Sequence, residues 1–495
     1  MKKLLVAAIV VLMASPAFAA IQNVKVSGDI TTSFVYDNSL DLGYQAAGVP
    51  QGQKHQDVFI TQTRLRVDAD LSDNVSTTVG LINERAWNAE NQDTLGTNGY
   101  ANDTNVQLYL ASVTMRELLY SPLTVTVGRQ VFNYGNGLVM GDGGPINAAT
   151  GNLGGIYADL TERTAYDGVK AILDYKPLTI DLMYFKNQQS LTSIAGGYES
   201  NLDQSSDVYG YNANYQLSDP WNTVVEQYMF ARVDGAGLQD IGGATITEDK
   251  GDTLFVPGLR ASTNPIKGLN VQGEVAWQLG NKVVGSTSPT TGVPTAPVAY
   301  EAEHRDAMAA QLLASYSLPV LQKYKPTVNA SYTYVSGDKN SNENYSGTPD
   351  AKSAKTYGAW DEFNTIQGAG TIYRALLPLS NENIIAVGGS ISPLEDVTVG
   401  ATWSGLWAAD RISAQNPLYV IQPNGSTIIT GTNAVSGTKN NDYGLGNEAD
   451  VNLAYNYTED VTFGLSLGWF VPGSVFANSN RDTASQAIAD IGVKF

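Results

Sequence analysis

Along most of the chain, apolar and polar positions alternate with a period of two, in segments of about ten residues. In 24–36, Val24, Val26, Ile30, Phe34 and Tyr36 share one face of an extended segment, while Lys25, Ser27, Asp29, Thr31 and Ser33 share the other. Segment 57–71 sets Phe59, Leu65, Val67, Ala69 and Leu71 against Gln62, Arg64, Arg66, Asp68 and Asp70. The opposition recurs in 207–217, 269–280, 447–457 and 461–470. It ends with Ala487, Ala489, Ile491, Val493 and Phe495 against Gln486, Asp490, Gly492 and Lys494. Each segment therefore predicts a strand with one apolar and one polar face.

The connections also alternate, short then long. Short ones include Ser72-Asp73-Asn74, Lys176-Pro177, Asp219-Pro220, Asn264-Pro265, Pro393 to Asp396 and Glu459-Asp460. Long ones fall near 37–56, 86–103, 133–163, 187–206, 233–251, 281–305, 337–381, 409–446 and 471–484. Eighteen strands fit between them, with sixteen as the alternative count, since alternation blurs near 223–232 and 382–392. Short turns on one rim and long loops on the other predict an all-β fold, a transmembrane antiparallel β-barrel with periplasmic turns and extracellular loops. A soluble β-sandwich also alternates, but its second face would be apolar. Here that face is Gly, Ser, Thr, Asn and Gln, and Tyr36, Tyr175, Tyr184, Trp277, Tyr316, Tyr334 and Trp469 stand at strand ends as interfacial girdles require.

Ahead of the first strand, Lys2 and Lys3 precede the apolar run Leu4 to Met13, Ser15-Pro16 breaks it, and Ala17-Phe18-Ala19 precedes Ala20. This pattern predicts a signal peptide over 1–19, cleaved between Ala19 and Ala20. The run is too short for a membrane helix, which takes about 20 residues. Residues 20–495 then form a single barrel domain, with long loops at about 133–163, 337–381 and 409–446.

Composition narrows the functional classes. The 495 residues carry a formal net charge of −19 with no cysteine, which excludes disulfides and Cys-ligated metal, and no basic block suggests nucleic acid. The two histidines, His55 and His304, stand far apart in predicted loops, and no phosphate-binding Gly-Lys-Ser/Thr loop occurs. Asp338 opens a calcium-like run, but Glu343 stands where Gly is needed. Neither catalysis, nor a cofactor, nor a metal is expected.

Three stretches carry a family resemblance. The chain closes on Phe495, as the assembly signal of bacterial outer-membrane proteins does. The run Val127-Gly128-Arg129-Gln130-Val131-Phe132-Asn133-Tyr134-Gly135 resembles the G-R-Q…Y-G stretch of alginate-export-type porins, and Gly468-Trp469-Phe470-Val471-Pro472-Gly473 is similar to that family's ending. The resemblance implies an eighteen-stranded channel in the outer membrane of a Gram-negative bacterium. Its partners would be lipid and lipopolysaccharide, the barrel-assembly machinery, and carbohydrate-like or other small polar solutes. Leu138 departs from the pattern, because in the family an Arg often follows the Tyr-Gly pair. That departure weakens the competing role, export of a secreted polysaccharide, more than it touches the fold. An enzyme or adhesin on a barrel scaffold is the third reading; oligomeric state stays open.

With the first strand rising from the periplasm, alternation turns Asp29, Arg64, Arg66, Lys170, Arg260, Glu274 and Asp490 toward the lumen near mid-height. Outward, each Arg or Lys would cost about 2–4 kcal/mol at the bilayer midplane. Arg64 and Arg66 form the start of a basic ladder that Lys170 and Arg260 extend. Arg129 shares parity with Val125 and Val127, so it either snorkels at the outer interface or follows a bulge. Loop 133–163, rich in Gly, and loop 337–381 compete to fold inward and narrow the pore. The acidic long loops predict a mouth that favours cations or neutral sugars.

Overall fold

The computed structural model describes residues 23–43, 55–87, 106–141, 165–188, 206–235, 251–285, 300–338, 356–363, 371–412, 418–421, 427–430, 442–476 and 481–495. Its wall is a closed antiparallel barrel of eighteen strands. The first nine are β1 (Asn23–Asn38), β2 (His55–Ser72), β3 (Val75–Ala86), β4 (Gln107–Arg116), β5 (Leu123–Val131), β6 (Ala165–Asp174), β7 (Leu178–Gln188), β8 (Ser206–Gln216) and β9 (Val224–Asp234). The others are β10 (Thr253–Ile266), β11 (Leu269–Gly285), β12 (Ala307–Ser317), β13 (Thr327–Val335), β14 (Glu382–Ile391), β15 (Val397–Ile412), β16 (Asp442–Asn456), β17 (Val461–Pro472) and β18 (Ala484–Lys494). Each pairs with its neighbours in sequence, and β18 returns to β1, so no edge is left open in the wall.

Facing follows the alternation. Val26, Ile30, Leu65, Val127, Leu259, Leu312, Val387, Leu453, Leu465 and Ile491 all stand exposed on one side of the wall, an apolar band suited to lipid. The seam is closed by backbone as well as by a ring. Gly28 N–H donates to Phe495 C=O and Phe495 N–H to Gly28 C=O, both at 2.9 Å. A Cβ on Gly28 would stand 2.6 Å from the Phe495 ring, so the glycine makes room for the terminal side chain.

Two expectations are corrected at the rims. Asn264-Pro265 is not a turn: β10 runs through it to Ile266 with a register irregularity, and the chain reverses at Lys267-Gly268, where Gly268 takes φ +85°. Proline stops a strand only where its missing N–H is needed, whereas the tight turn needs a left-handed residue. The ends of predicted loops 281–305 and 409–446 are strand as well. The last residues of β11 pair with a strand at Tyr300–Arg305, and 418–421 pairs with 427–430. The strand at Tyr300–Arg305 is largely polar, and 418–421 and 427–430 are only four residues each, too short for a period of two to stand out.

Inside the wall lies a second, smaller core. Phe132, Leu138, Met140, Trp360, Ile372, Leu376 and Phe476 are at most 2% exposed and pack with inward residues such as Phe185, Phe230 and Phe470. They come from connections between strands, which therefore enter the barrel.

Candidate functional site: the lumen and its two inward segments

The first segment leaves β5 at the glycine-rich stretch. Gly128, at φ +117°, brings β5 so close to β4 that a Cβ would meet the Ala111 carbonyl. Gln130 turns inward, and its amide donates to the carbonyls of Thr126 at 3.0 Å and Gly168 at 3.2 Å. Phe132 follows, its ring 4.6 Å from Phe185. The chain then folds back on itself, with Tyr134 N–H donating to Met140 C=O at 2.9 Å.

That tip reaches across the lumen. Tyr134 donates its hydroxyl to Asp181 Oδ2 on β7 at 3.1 Å, and its ring lies 5.7 Å from Phe230 on β9. Burial, with Asp181 beside it, pushes the Tyr134 hydroxyl above its ordinary range, so it stays a donor. Gly135, at φ +59°, passes so near β10 and β11 that a Cβ would stand 3.1 Å from Arg260 Cδ and 3.3 Å from Glu274 Oε2. Asn136 Oδ1 accepts from Arg260 Nη2 at 3.2 Å. Arg260 also pairs with Glu226 and donates to Gln272 Oε1 at 2.6 Å, while Tyr228 donates to Glu274 Oε1 at 2.7 Å.

The second segment, 356–363 with 371–379, enters from the connection between β13 and β14. Asp361 is held at three levels: Gln278 on β11 bonds both its N–H (2.8 Å) and its C=O (2.5 Å), and its carboxylate meets cations. Oδ2 lies 2.9 Å from Arg305 Nη1, 3.0 Å from Lys282 Nζ and 3.4 Å from Arg232 Nη2. Helix α1 (Ile372–Leu376) is held from the other side of the segment's entry point, where Glu448 on β16 accepts the N–H groups of Ile372 (2.8 Å) and Tyr373 (2.6 Å). The segments converge on Phe230, whose ring lies 6.3 Å from Phe363 as well as near Tyr134.

The residues singled out from sequence fall into distinct settings. Asp29 and Arg64, opposite each other on β1 and β2, form an ion pair at 2.9 Å. Arg66 pairs with Asp68 at 2.8 Å, and Thr78 donates to the same carboxylate at 2.7 Å. Lys170 sits at the root of the first segment, 3.4 Å from Val131 O and 5.7 Å from the centre of the Phe132 ring. Asp490 lies over Gly464 of β17. Arg260 and Glu274 alone among them meet an inward segment at its tip. A continuous basic ladder is thus replaced by separate pairs, because each cation finds a carboxylate or a carbonyl before it finds another cation.

Arg129 faces outward, without a bulge in its pairing, and meets Asp167 at 3.0 Å. The register continues it to Lys186 and Asp207, themselves 2.6 Å apart, so a row of alternating charges crosses β5 to β8 toward the outer rim. His55 heads β2 beside Tyr36, and His304 stands opposite Asn281, on strands that are not adjacent. Ala19 and Ala20 lie outside the described residues, as does 142–163.

The alternation read from sequence did not single out Glu226, Arg232, Lys282, Arg305, Asp361 or Glu448. Lys282 and Arg305 lay in a predicted loop, and Asp361 carries no local signal. Inward parity of Arg232 and Lys282 at the outer strand ends was the available cue.

Comparison with known proteins places this architecture. The alginate export family model matches residues 24–490. Among solved structures the chain is similar to Acinetobacter baumannii OccAB1, at 12% identity over 97% of this chain and 99% of that one, with a TM-score of 0.54. It is also similar to Pseudomonas aeruginosa OccK2 (OpdF) in complex with glucuronate, at 11% identity over 96% and 99%, with a TM-score of 0.50. The Pseudomonas aeruginosa outer membrane protein OpdK gives 8% identity over 96% and 99%, with a TM-score of 0.51. At such identities the likeness is one of fold. No curated protein matches the sequence.

Proposed function

The chain belongs to the alginate export family, and from that membership we propose that it is an outer-membrane channel for passive diffusion of small hydrophilic solutes, carboxylated monosaccharides among them. The observation that carries this reading is the make-up of the narrowed lumen. Its contacts are charged and hydrogen-bonding groups of both signs, Arg260 with Glu226, Gln272 and Asn136, on a wall whose outside is apolar. Such a constriction passes molecules that exchange hydration for polar contacts and rejects apolar ones of the same size. Asp29, Arg64, Arg66, Lys170, Arg260, Glu274 and Asp490 line the pore in this reading, with Arg260 and Glu274 at the constriction, and residues 1–19 direct export to the assembly machinery that reads Phe495.

Passage of a long polyanion is less well supported. Where the resemblance expects an Arg after Tyr134-Gly135, Leu138 is fully buried and offers no cation to the lumen. The solved OccK2 structure contains glucuronate, and we carry a sugar carboxylate over to this chain as one solute class. Conductance in planar bilayers and swelling of proteoliposomes in glucose, sucrose and glucuronate test the reading. Ohmic conductance and swelling with the monosaccharides are expected. Silence in both, with polymer secretion lost on deletion of the chain, would favour the exporter instead.

A further inference from the structure

Among the described residues, Asp361 makes a contact unlike that of any other carboxylate. Its Oδ2 is the point where Arg232 from β9, Lys282 from β11 and Arg305 beside β12 converge, at 3.4, 3.0 and 2.9 Å. Nearby wall carboxylates are less central: Asp234 touches Arg232 at 3.3 Å, and Asp252 touches Arg305 at 2.6 Å and Lys282 at 3.7 Å. Glu303 stands opposite Lys282 in the strand register. Burial opposes ionisation of Asp361, yet Lys282, Arg232 and Arg305 outweigh it and hold the carboxyl below its ordinary range. The cradle is not sealed. The side chains of Lys282 and Asp361 keep 27% and 18% exposure, whereas that of Arg305 has none.

We propose that Arg232, Lys282 and Arg305 form a binding site for the carboxylate of a passing solute, and that Asp361 occupies it as a tethered competitor. This rests on the reading of the chain as a solute channel. Two guanidinium groups and an ammonium aimed at one oxygen are built for a planar anion, and a solute carboxylate presents the same oxygens that Asp361 does. Gln278 binds the backbone of Asp361, so the carboxylate can swing off Lys282 and Arg232 while the main chain stays in place. A tethered group competes at an effective concentration of about millimolar or more, so solute affinity is set low enough for release. Exchange on a weak site, rather than tight capture, is what a conducting pore requires.

The test uses full-length protein in detergent and in bilayers, with glucuronate as probe and glucose as its neutral counterpart. Trp360, 1% exposed and adjacent to Asp361, reports on the segment through its emission, and Trp360→Phe identifies that signal. Asp361→Asn keeps the shape and removes the charge. It should bind glucuronate at least about tenfold tighter than the parent, leave glucose unchanged, and lose the gain in 1 M salt, where the Debye length is about 3 Å. Adding Lys282→Gln to Asp361→Asn should reverse the gain, and Lys282→Gln alone covers the case in which the Asn variant fails to fold, since it should weaken glucuronate and spare glucose. A conducting protein in which none of these changes discriminates glucuronate from glucose overturns the site and leaves the channel standing. The expected binding changes in a protein silent in bilayers establish the site and overturn the channel.

Discussion

Two sets of inward cations obey the same periodicity and end in different roles. Arg64 and Arg66 on β2 face Asp29 and Asp68 within the wall itself, next to the seam where β18 meets β1. Arg232, Arg260 and Lys282 on β9 to β11 face groups brought in by chain from elsewhere, Asp361 and Asn136. The first set braces neighbouring strands, while the second anchors the two segments that enter the lumen. A strand's period decides which side of the wall a charge takes, and the partner decides what that charge does.

The largest expected effect breaks the barrel that both regions share. Deleting Phe495, or changing it to Asp, removes or charges the residue that exchanges two backbone hydrogen bonds with Gly28 across the seam. Loss of assembly is expected, read as absence of heat-modifiable migration and of surface exposure; a variant that migrates normally would show that the seam closes without it. Next comes facing. Leu465→Arg places a charge in hydrocarbon, whereas Ser466→Arg turns it inward, and unfolding in lipid vesicles should separate the two by about 2–4 kcal/mol. Equal stabilities would mean that the two faces of β17 are assigned wrongly.

Arg260→Ala sharpens the contrast on the β9 to β11 side. It strands Glu226 beside Glu274 and releases Asn136, so conductance should rise and ion preference should move toward cations. Removing one partner of a buried pair costs about 3–5 kcal/mol where the remaining charge stays dry, and part of that is recovered if water follows the freed segment. The smallest effect belongs to the other side. Changing Arg64 and Arg66 together to Gln should cost about 1 kcal/mol or less each. It should move the reversal potential slightly toward cations at 0.1 M salt, where the Debye length is about 10 Å. If the double Gln variant opened the pore as widely as Arg260→Ala, the distinction between braces and anchors would fall.

Strand existence and strand facing were legible in the sequence because both are local. A period of two needs only neighbours, and a lipid-facing charge is so costly that parity leaves one choice. Short turns were legible where polar turn residues or a proline interrupt the alternation, as at Ser72-Asp73-Asn74, Lys176-Pro177 and Glu459-Asp460, and misplaced at Asn264-Pro265, where the strand runs on and the left-handed residue is Gly268. Arg129 shows the limit of parity, which put it outward but could not name Asp167 and the row beyond it as the reason it is tolerated there.

By itself, the sequence determined an all-β outer-membrane chain, eighteen strands as the favoured count over sixteen, the apolar belt and the terminal Phe495, since each follows from residues adjacent in the chain or on one strand. Tertiary structure alone decided where the inward charges find partners. Gly135 meets Arg260 and Glu274, Asp361 meets Arg232, Lys282 and Arg305, and Ile372 meets Glu448, each across a separation that leaves no periodic trace. Closing the wall brings those strands around one lumen, and only then do buried charges, which must be paired to stay dry, select the loop residues that complete them.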